Sequence, residues 1–324
     1  MKKFGHQHGY QVKLTILGLV LVMALASGCG NQAQSKLAPE KPQQTFQEEP
    51  TITLYLHETG ESVSLPLEEY LCGVVAAEMA TDWPDQALAA QAIMARTFTL
   101  EKIQSGGVPA RGTDASTDVA EFQAYDATKI NDAVRQAVEE TRGLVVRSDG
   151  ALIKAWFFAD GGGLTSASSV EGLGYDKEPT PYIHSVEDPG IKLEDNPNKA
   201  WQAVFPLETV RAAITEITGR DIAVPTEVAI AEQGPSGRAT KLSFNGYTVS
   251  APALRLALDS TEMKSTLLIS AQIADGTLVL AGKGYGHGVG MSQWGARAMA
   301  QEGKSADEII HYFFKDIEIT QEYQ

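Results

Sequence analysis

The 324-residue chain is poor in cysteine and in positive charge. Its two cysteines are too few for a disulfide framework or a four-thiolate zinc site. Its 26 lysines and arginines stand against 41 acidic residues, a net charge of −15. A general binder of nucleic acid or of an anionic membrane surface carries the opposite sign, so we expect no nucleic-acid partner. With 43% hydrophobic residues the chain can bury a sizeable core, which excludes disorder for most of its length.

The amino end lacks a hydrophobic run long enough to cross a membrane. Three lysines precede a mostly apolar stretch of 13 residues, 14–26, whereas a spanning helix needs about 20. This pattern predicts a signal peptide over residues 1–28. The following LASGCG resembles a bacterial lipoprotein processing site, with Cys29 as the lipidated residue. The alternative is an uncleaved amino-terminal anchor. Both predict an extracytoplasmic, membrane-anchored protein.

The mature chain is then more acidic, because loss of residues 1–28 removes three lysines and no acidic residue, giving a net charge of −18. Residues 29–50 combine the lipidated cysteine with a Pro/Gln/Glu-rich segment that has little to bury, which predicts a disordered linker. Cys72 is left without a partner cysteine and is expected to be a small core residue.

Residues 51–319 have the pattern of an α+β body that is not doubly wound. Helical periodicity is strongest in the first part, where it predicts helices after Pro66 and after Pro84. Short strands separated by turn residues dominate about 200–282, with one short helix at 251–258. We therefore expect two coupled subdomains, one of them a helical block and the other β-rich.

Glu78 stands at the end of the first predicted helix. It follows Leu67 by eleven residues, which returns it to within about 20° of the apolar stripe that starts there. The helix dipole and apolar neighbours both raise the pKa of a carboxyl group at this end. A glutamate kept protonated near neutral pH can act as a general acid. The structural alternative is a side chain that bends out to solvent.

Two further features are candidates for a binding site. Arg96 lies in an alanine-rich helix, where a guanidinium must find an anion or reach water. His287 lies among five alternating glycines at 282–290, which predict an extended backbone floor suited to a polymer such as a glycan. A helix begins beside this segment near Ser292 and offers free amide groups.

Two long segments resemble the stage II sporulation protein D family, which includes the amidase enhancers: LEEYLCGVVAAEMATDWPDQALAAQAIMARTFTL and GKGYGHGVGMSQWGARAMAQEGKSADEII. The resemblance implies a two-domain lytic transglycosylase of peptidoglycan that acts with a partner amidase during sporulation and engulfment. It places the catalytic glutamate at Glu78 and implies a substrate-cleft set at Arg96, His287, Ser292, Gln293 and Trp294.

The resemblance breaks at a metal site that many family members carry. Phe158, Gly161 and Leu164 stand at the expected ligand positions, and Phe122 stands where a cysteine is common. Asp160 alone is a poor zinc ligand set. We therefore expect no metal and no cofactor.

The resemblance also implies a mechanism that needs a single carboxyl group. Hydrolysing glycosidases use two carboxylates, but a lytic transglycosylase lets the 6-hydroxyl of the sugar attack and leaves a 1,6-anhydro-muramic end. The competing prediction is a peptidoglycan-binding module that stimulates an amidase without cutting glycan. A periplasmic binding protein for small ligands is disfavoured by the linker and the glycine segment.

Overall fold

The structure is a computed structural model that describes residues 46–324. The predicted signal peptide, Cys29 and most of the predicted linker lie outside the described residues. Within residues 46–324, no helix has both the length and the apolar character required to cross a membrane.

The described part of the chain contains eight α-helices and fourteen short strands. The helices are α1 (Leu67–Glu78), α2 (Asp85–Gln104), α3 (Asp132–Glu140), α4 (Ser169–Leu173), α5 (Leu207–Thr218), α6 (Ala251–Leu258), α7 (Gln293–Gln301) and α8 (Ala306–Phe313). The strands are β1 (Thr51–Leu56), β2 (Glu61–Pro66), β3 (Ala115–Ser116), β4 (Leu144–Ser148), β5 (Ala151–Leu152), β6 (Phe157–Phe158), β7 (Trp201–Pro206), β8 (Val228–Gln233), β9 (Ala239–Phe244), β10 (Tyr247–Ser250), β11 (Leu268–Ala274), β12 (Thr277–Gly282), β13 (Met291–Ser292) and β14 (Glu318–Gln321).

These strands form five small sheets, with orders β2-β1-β3, β14-β4-β5, β13-β6, β10-β9-β8 and β11-β12-β7. The pairings are antiparallel except for two short parallel ones, β1 with β3 and β13 with β6. A doubly wound fold needs a continuous parallel sheet, so the predicted α+β class is confirmed.

A first hydrophobic core is built around α1 and α2, with α3, α7, α8 and β4 packed against them. Glu69 is the one exposed residue of α1. The single apolar stripe predicted for this helix is therefore too narrow, because neighbours cover α1 on nearly every side. Cys72 is buried in this core, as predicted.

A second hydrophobic core contains only residues between Trp201 and Leu280, from β7 to β12 with α5 and α6. It spans the section predicted to be β-rich, and α6 covers the predicted 251–258. Treating it as a subdomain remains a proposal.

The antiparallel hairpin of β4 and β5 is short, with two residue pairs in register. Its turn at Asp149–Gly150 forms with both residues at positive φ, but β5 ends at Leu152. The Lys154 N–H then donates to the Tyr182 hydroxyl at 2.8 Å. The chain leaves the β4–β5 pairing here because the Tyr182 side chain, and not a strand carbonyl, accepts the next backbone N–H.

Candidate functional site

Glu78 is the last residue of α1, and its carboxylate is held by two donors from distant parts of the chain. Oε1 accepts the Ala124 N–H at 3.0 Å, and Oε2 accepts Gln293 Nε2 at 3.1 Å. The side chain keeps partial access to solvent. Sequence reasoning placed Glu78 and Gln293 in one site but missed Ala124, whose contribution is a backbone group.

A glycine in α1 positions the segment that carries Ala124. A Cβ at Gly73 would lie 2.2 Å from the Tyr125 ring, so only glycine lets that ring pack here. Tyr125 stacks on Tyr70 with ring centroids 5.6 Å apart and planes 7° apart. The Gly73 carbonyl accepts the Asp126 N–H at 3.0 Å. These contacts fix the loop at Tyr125 and Asp126, directly after Ala124. The Ala124 N–H is thereby held in position to donate to Glu78.

The donors to Glu78 are both uncharged. Within residues 46–324, no basic side chain forms an ion pair with it. Burial raises the pKa of Glu78 above its usual range, and the hydrogen bonds from Gln293 and Ala124 oppose that shift only in part. A carboxyl group in this setting holds its proton to higher pH than an exposed glutamate does.

Gln293 is the first residue of α7, and Ser292 caps that helix. Ser292 Oγ accepts the Gly295 N–H at 3.0 Å, and the side chain is fully buried. The structure therefore gives Ser292 a capping position rather than an exposed position in a cleft. Gln91 Oε1 lies 3.5 Å from Gln293 Nε2 and helps to fix its amide orientation. Sequence reasoning did not single out Gln91.

Two indole rings meet beside this pair. Trp294 contacts Trp83 edge to face, with centroids 5.0 Å apart, and both rings are partly exposed. The Arg297 guanidinium lies 5.1 Å from the Trp83 ring centre and 4.9 Å from that of Trp294, and it donates to Asp195 at 2.8 Å. Trp83 was visible in the sequence as part of the loop after α1, but its spacing gave no sign of this contact.

His287 is an uncharged group held by backbone. Its Nδ1 accepts the Val289 N–H at 3.0 Å. Burial, followed by the charges of Arg255 and Arg238, lowers the pKa of His287 to about 3. At neutral pH it is therefore neither a cation nor a general acid.

The glycines around His287 do not form the flat floor predicted from their alternation. Gly284, Gly286, Gly288 and Gly290 all have positive φ, so the segment is not an extended strand. A Cβ on Gly288 would lie 2.4 Å from the Arg238 guanidinium, and one on Gly290 would lie 2.2 Å from a backbone carbonyl. The protein's own chain fills the space that the prediction reserved for a polymer.

Comparison with known proteins gives several matches. Residues 55–147 match the family described as Stage II sporulation protein (SpoIID), and residues 188–290 match a domain family of unknown function, DUF8618. An uncharacterized protein of Brachyspira hyodysenteriae is 30% identical over 259 residues, covering 79% of this chain and 67% of the relative. Stage II sporulation protein D of Bacillus subtilis (strain 168) is 28% identical over 306 residues, covering 89% and 84%. The chain belongs to the stage II sporulation protein D family. The amidase enhancer of Bacillus subtilis is also 28% identical, over 77% of this chain and 40% of the relative.

The stage II sporulation protein D match includes Glu78 and Arg96, but the structure does not bring these two residues together. Arg96 is fully buried and donates to both carboxylate oxygens of Glu68 and to the carbonyls of Leu144 and Val138. This geometry does not support a contact with substrate. It supports the other role that the sequence suggested, in which the arginine has a structural partner.

The segment for which the family resemblance implies a metal site is held here by hydrogen bonds. Asp160 is fully buried; its carboxylate accepts Asn196 Nδ2 and the Gly162 N–H. In residues 46–324 no group of three or more His, Cys, Asp or Glu side chains is placed to hold a metal ion. The donor set around Asp160 therefore does not fit a zinc ion.

Proposed function

We propose that the protein is a peptidoglycan lytic transglycosylase, which cuts glycan strands with formation of 1,6-anhydro-muramic ends. The carrying observation is Glu78, a carboxyl group held by neutral donors, with burial raising its pKa. Family membership and the printed names of the relatives support action on the cell wall during sporulation.

Glu78 would act twice in this mechanism. It first donates its proton to the glycosidic oxygen as the bond from that oxygen to the anomeric carbon breaks. The resulting carboxylate then takes the proton of the 6-hydroxyl of the muramic sugar, whose oxygen forms the new bond to the anomeric carbon. The proton given in the first step is recovered in the second, so one carboxyl group suffices and no water is consumed.

The neighbouring residues would hold the carboxylate and the sugars. Gln293 and the Ala124 N–H stabilise the charged form of Glu78 between the two steps. Trp294 and Trp83 offer indole surface for the apolar face of a pyranose. His287, being neutral, would contribute hydrogen bonding or packing rather than charge.

The cellular setting is part of the same proposal. A signal peptide over 1–28, a lipid on Cys29 and a linker up to residue 50 would hold the enzyme outside the cytoplasm, on the membrane and facing the wall. A cell-wall amidase would be its partner.

The test is the release of anhydro-muramic products from purified glycan strands by the wild type and by Glu78→Gln, followed by mass spectrometry. Loss of general acid–base catalysis is expected to lower the rate by about 10²–10⁴-fold. Gln136→Ala, on the exposed face of α3, is the control. Release by Glu78→Gln at the wild-type rate would contradict the assignment.

A second candidate is a non-catalytic amidase enhancer, which the similarity to the Bacillus subtilis amidase enhancer favours. A pure binder yields no anhydro ends but raises the rate of a wall amidase on the same strands. Its stimulation would also survive Glu78→Gln. The same mass-spectrometric measurement therefore separates the two functions.

A further inference from the structure

A cavity of about 570 Å³ lies outside the Glu78 site and is used by no step of the mechanism above. Aromatic side chains from three elements or loops line it, together with lysines and carboxylates. Trp156 and Tyr175 meet there edge to face with centroids 5.1 Å apart, and Phe98 of α2 forms a further part of the wall. All three rings are partly exposed.

The polar side of the cavity is held in place. Lys154 Nζ donates to the carboxylates of Glu101 and Glu178, the latter at 2.9 Å. The Tyr175 hydroxyl also donates to Glu178, at 2.8 Å. Burial alone would lower the pKa of Lys154, but the two carboxylates outweigh it and raise that pKa to about 12. The ammonium therefore stays charged throughout the physiological range.

The charges around the cavity balance. Three lysines and three carboxylates line it or bond to its lining: Lys102, Lys154, Lys177, Glu101, Asp176 and Glu178. A balanced set gives no net attraction for a strongly charged ligand. Aromatic faces combined with fixed donors and acceptors instead suit a sugar, which has an apolar CH face and a rim of hydroxyl groups.

Both walls of the cavity connect to the partners of Glu78. Phe98 contacts Phe122 with centroids 5.3 Å apart, and Phe122 comes two residues before Ala124. The Trp156 carbonyl accepts the Met291 N–H at 3.1 Å, and Met291 comes two residues before Gln293. The lining of the cavity therefore packs against the two segments that carry the donors to Glu78.

We propose that this cavity is a remote glycan subsite, in which a sugar several units from the cut packs against Tyr175 and Trp156. The inference rests on the proposed function for the choice of ligand. It adds a prediction that the proposed function does not make. Longer glycan strands should bind the protein more tightly than short ones, and the Tyr175 side chain should be required for that difference.

The experiment measures binding rather than cleavage. Soluble N-acetylglucosamine oligomers of three and six sugars are titrated calorimetrically into the full protein carrying Glu78→Gln, alone and combined with Tyr175→Ala. Removing one aromatic contact is expected to weaken binding of the six-sugar oligomer by about three- to tenfold and to leave the three-sugar oligomer unchanged. Tyr175→Phe keeps the ring and is expected to retain most of the affinity.

Tyr247→Ala is the matched control, because Tyr247 is a half-exposed tyrosine on β10 in the second core section. Thermal melting checks that each variant is folded, and Trp156→Phe provides a second probe of the same wall. The subsite would be overturned if six sugars bind no better than three, or if Tyr175→Ala weakens both oligomers equally. It would also be overturned if Tyr175→Ala weakens the binding of muramyl dipeptide and not that of the six-sugar oligomer, since the cavity would then take a stem peptide.

Cleavage by the wild type is recorded in parallel so that the two proposals can fail separately. Length-dependent binding lost with Tyr175→Ala, without any anhydro ends, would overturn the transglycosylase and leave the subsite standing. Anhydro ends together with unaltered oligomer binding by Tyr175→Ala would overturn the subsite and leave the transglycosylase standing.

Discussion

The two ends of α1 each carry a glutamate, and the two carboxylates have different kinds of partner. Glu68 is buried in the first turn, where the helix dipole favours an anion; it accepts both Arg96 donors, the Gly143 N–H at 3.2 Å and the Tyr323 hydroxyl. Glu78 stands at the other end, where the dipole disfavours an anion, and its donors are a neutral amide and a backbone N–H. One carboxylate is neutralised by a cation; the other is left able to exchange a proton.

The difference shows how a single helix can supply both a structural and a chemical carboxyl group. A buried charge is tolerated when a cation and hydrogen bonds satisfy it, and removing one partner of such a pair is costly. A buried carboxyl group without a cation has its pKa raised instead. The partner, more than the depth of burial, decides which role the glutamate takes.

The largest expected effect comes from breaking the Glu68 end. Arg96→Met should destabilise the protein by about 3–5 kcal/mol, because it leaves the Glu68 carboxylate buried without its cation. Urea unfolding of the purified protein measures this loss. The double variant Arg96→Met with Glu68→Leu should recover much of it, since an apolar pair of similar volume replaces the ion pair. A loss below about 1 kcal/mol for the single variant would show that the pair is not the anchor described here.

A smaller effect is expected at the other end from Gln293→Ala. The amide favours the charged form of Glu78, so its removal should raise the pKa of that carboxyl further. The rate of a reaction that needs protonated Glu78 falls as pH rises through this pKa, so the alkaline limb of the pH–rate profile should move to higher pH. One neutral hydrogen bond is worth about 1 kcal/mol, which limits the movement to about one pH unit. A limb that moves to lower pH would contradict the assigned donor.

The smallest effect is on stability at Glu78 itself. A carboxyl group with a raised pKa binds more protons in the folded state, so its contribution to stability is complete below the unfolded pKa and is lost as pH rises through the folded pKa. Glu78→Gln does not titrate and should gain about 1 kcal/mol over the wild type in alkaline solution, with little difference in acid. Chemical unfolding of both proteins at several pH values measures this gap. A gap that widens toward acid would mean that the pKa of Glu78 is lowered rather than raised.

The sequence predicted the elements well and their surroundings less well. The α+β class and the bounds of α6 follow from local patterns, and the structure has them. Periodicity also placed Glu78 on a buried face at the end of its helix. These features depend on residues close together in the chain, which a sequence displays directly.

Contacts between distant residues account for what was missed. Glu78 and Gln293 are 215 positions apart, and the partner of Arg96 lies on a different helix. The alternating glycines were interpreted as space for a polymer, but Arg238 and the Trp156 carbonyl occupy that space. Glycine indicates that something comes close to the backbone; it does not indicate whether that something is a ligand or the protein itself.

The two hydrophobic cores also differ in how the chain assembles them. The second is drawn from one uninterrupted stretch, Trp201 to Leu280, whereas the first joins residues that precede this stretch to residues that follow it. Glu68 and Tyr323 meet across 255 positions, and β4 pairs with β14. Closing such long loops is slow compared with forming local contacts. During synthesis the second core can therefore fold before β14, the last strand of the first core, has been made. The site around Glu78 is then completed late.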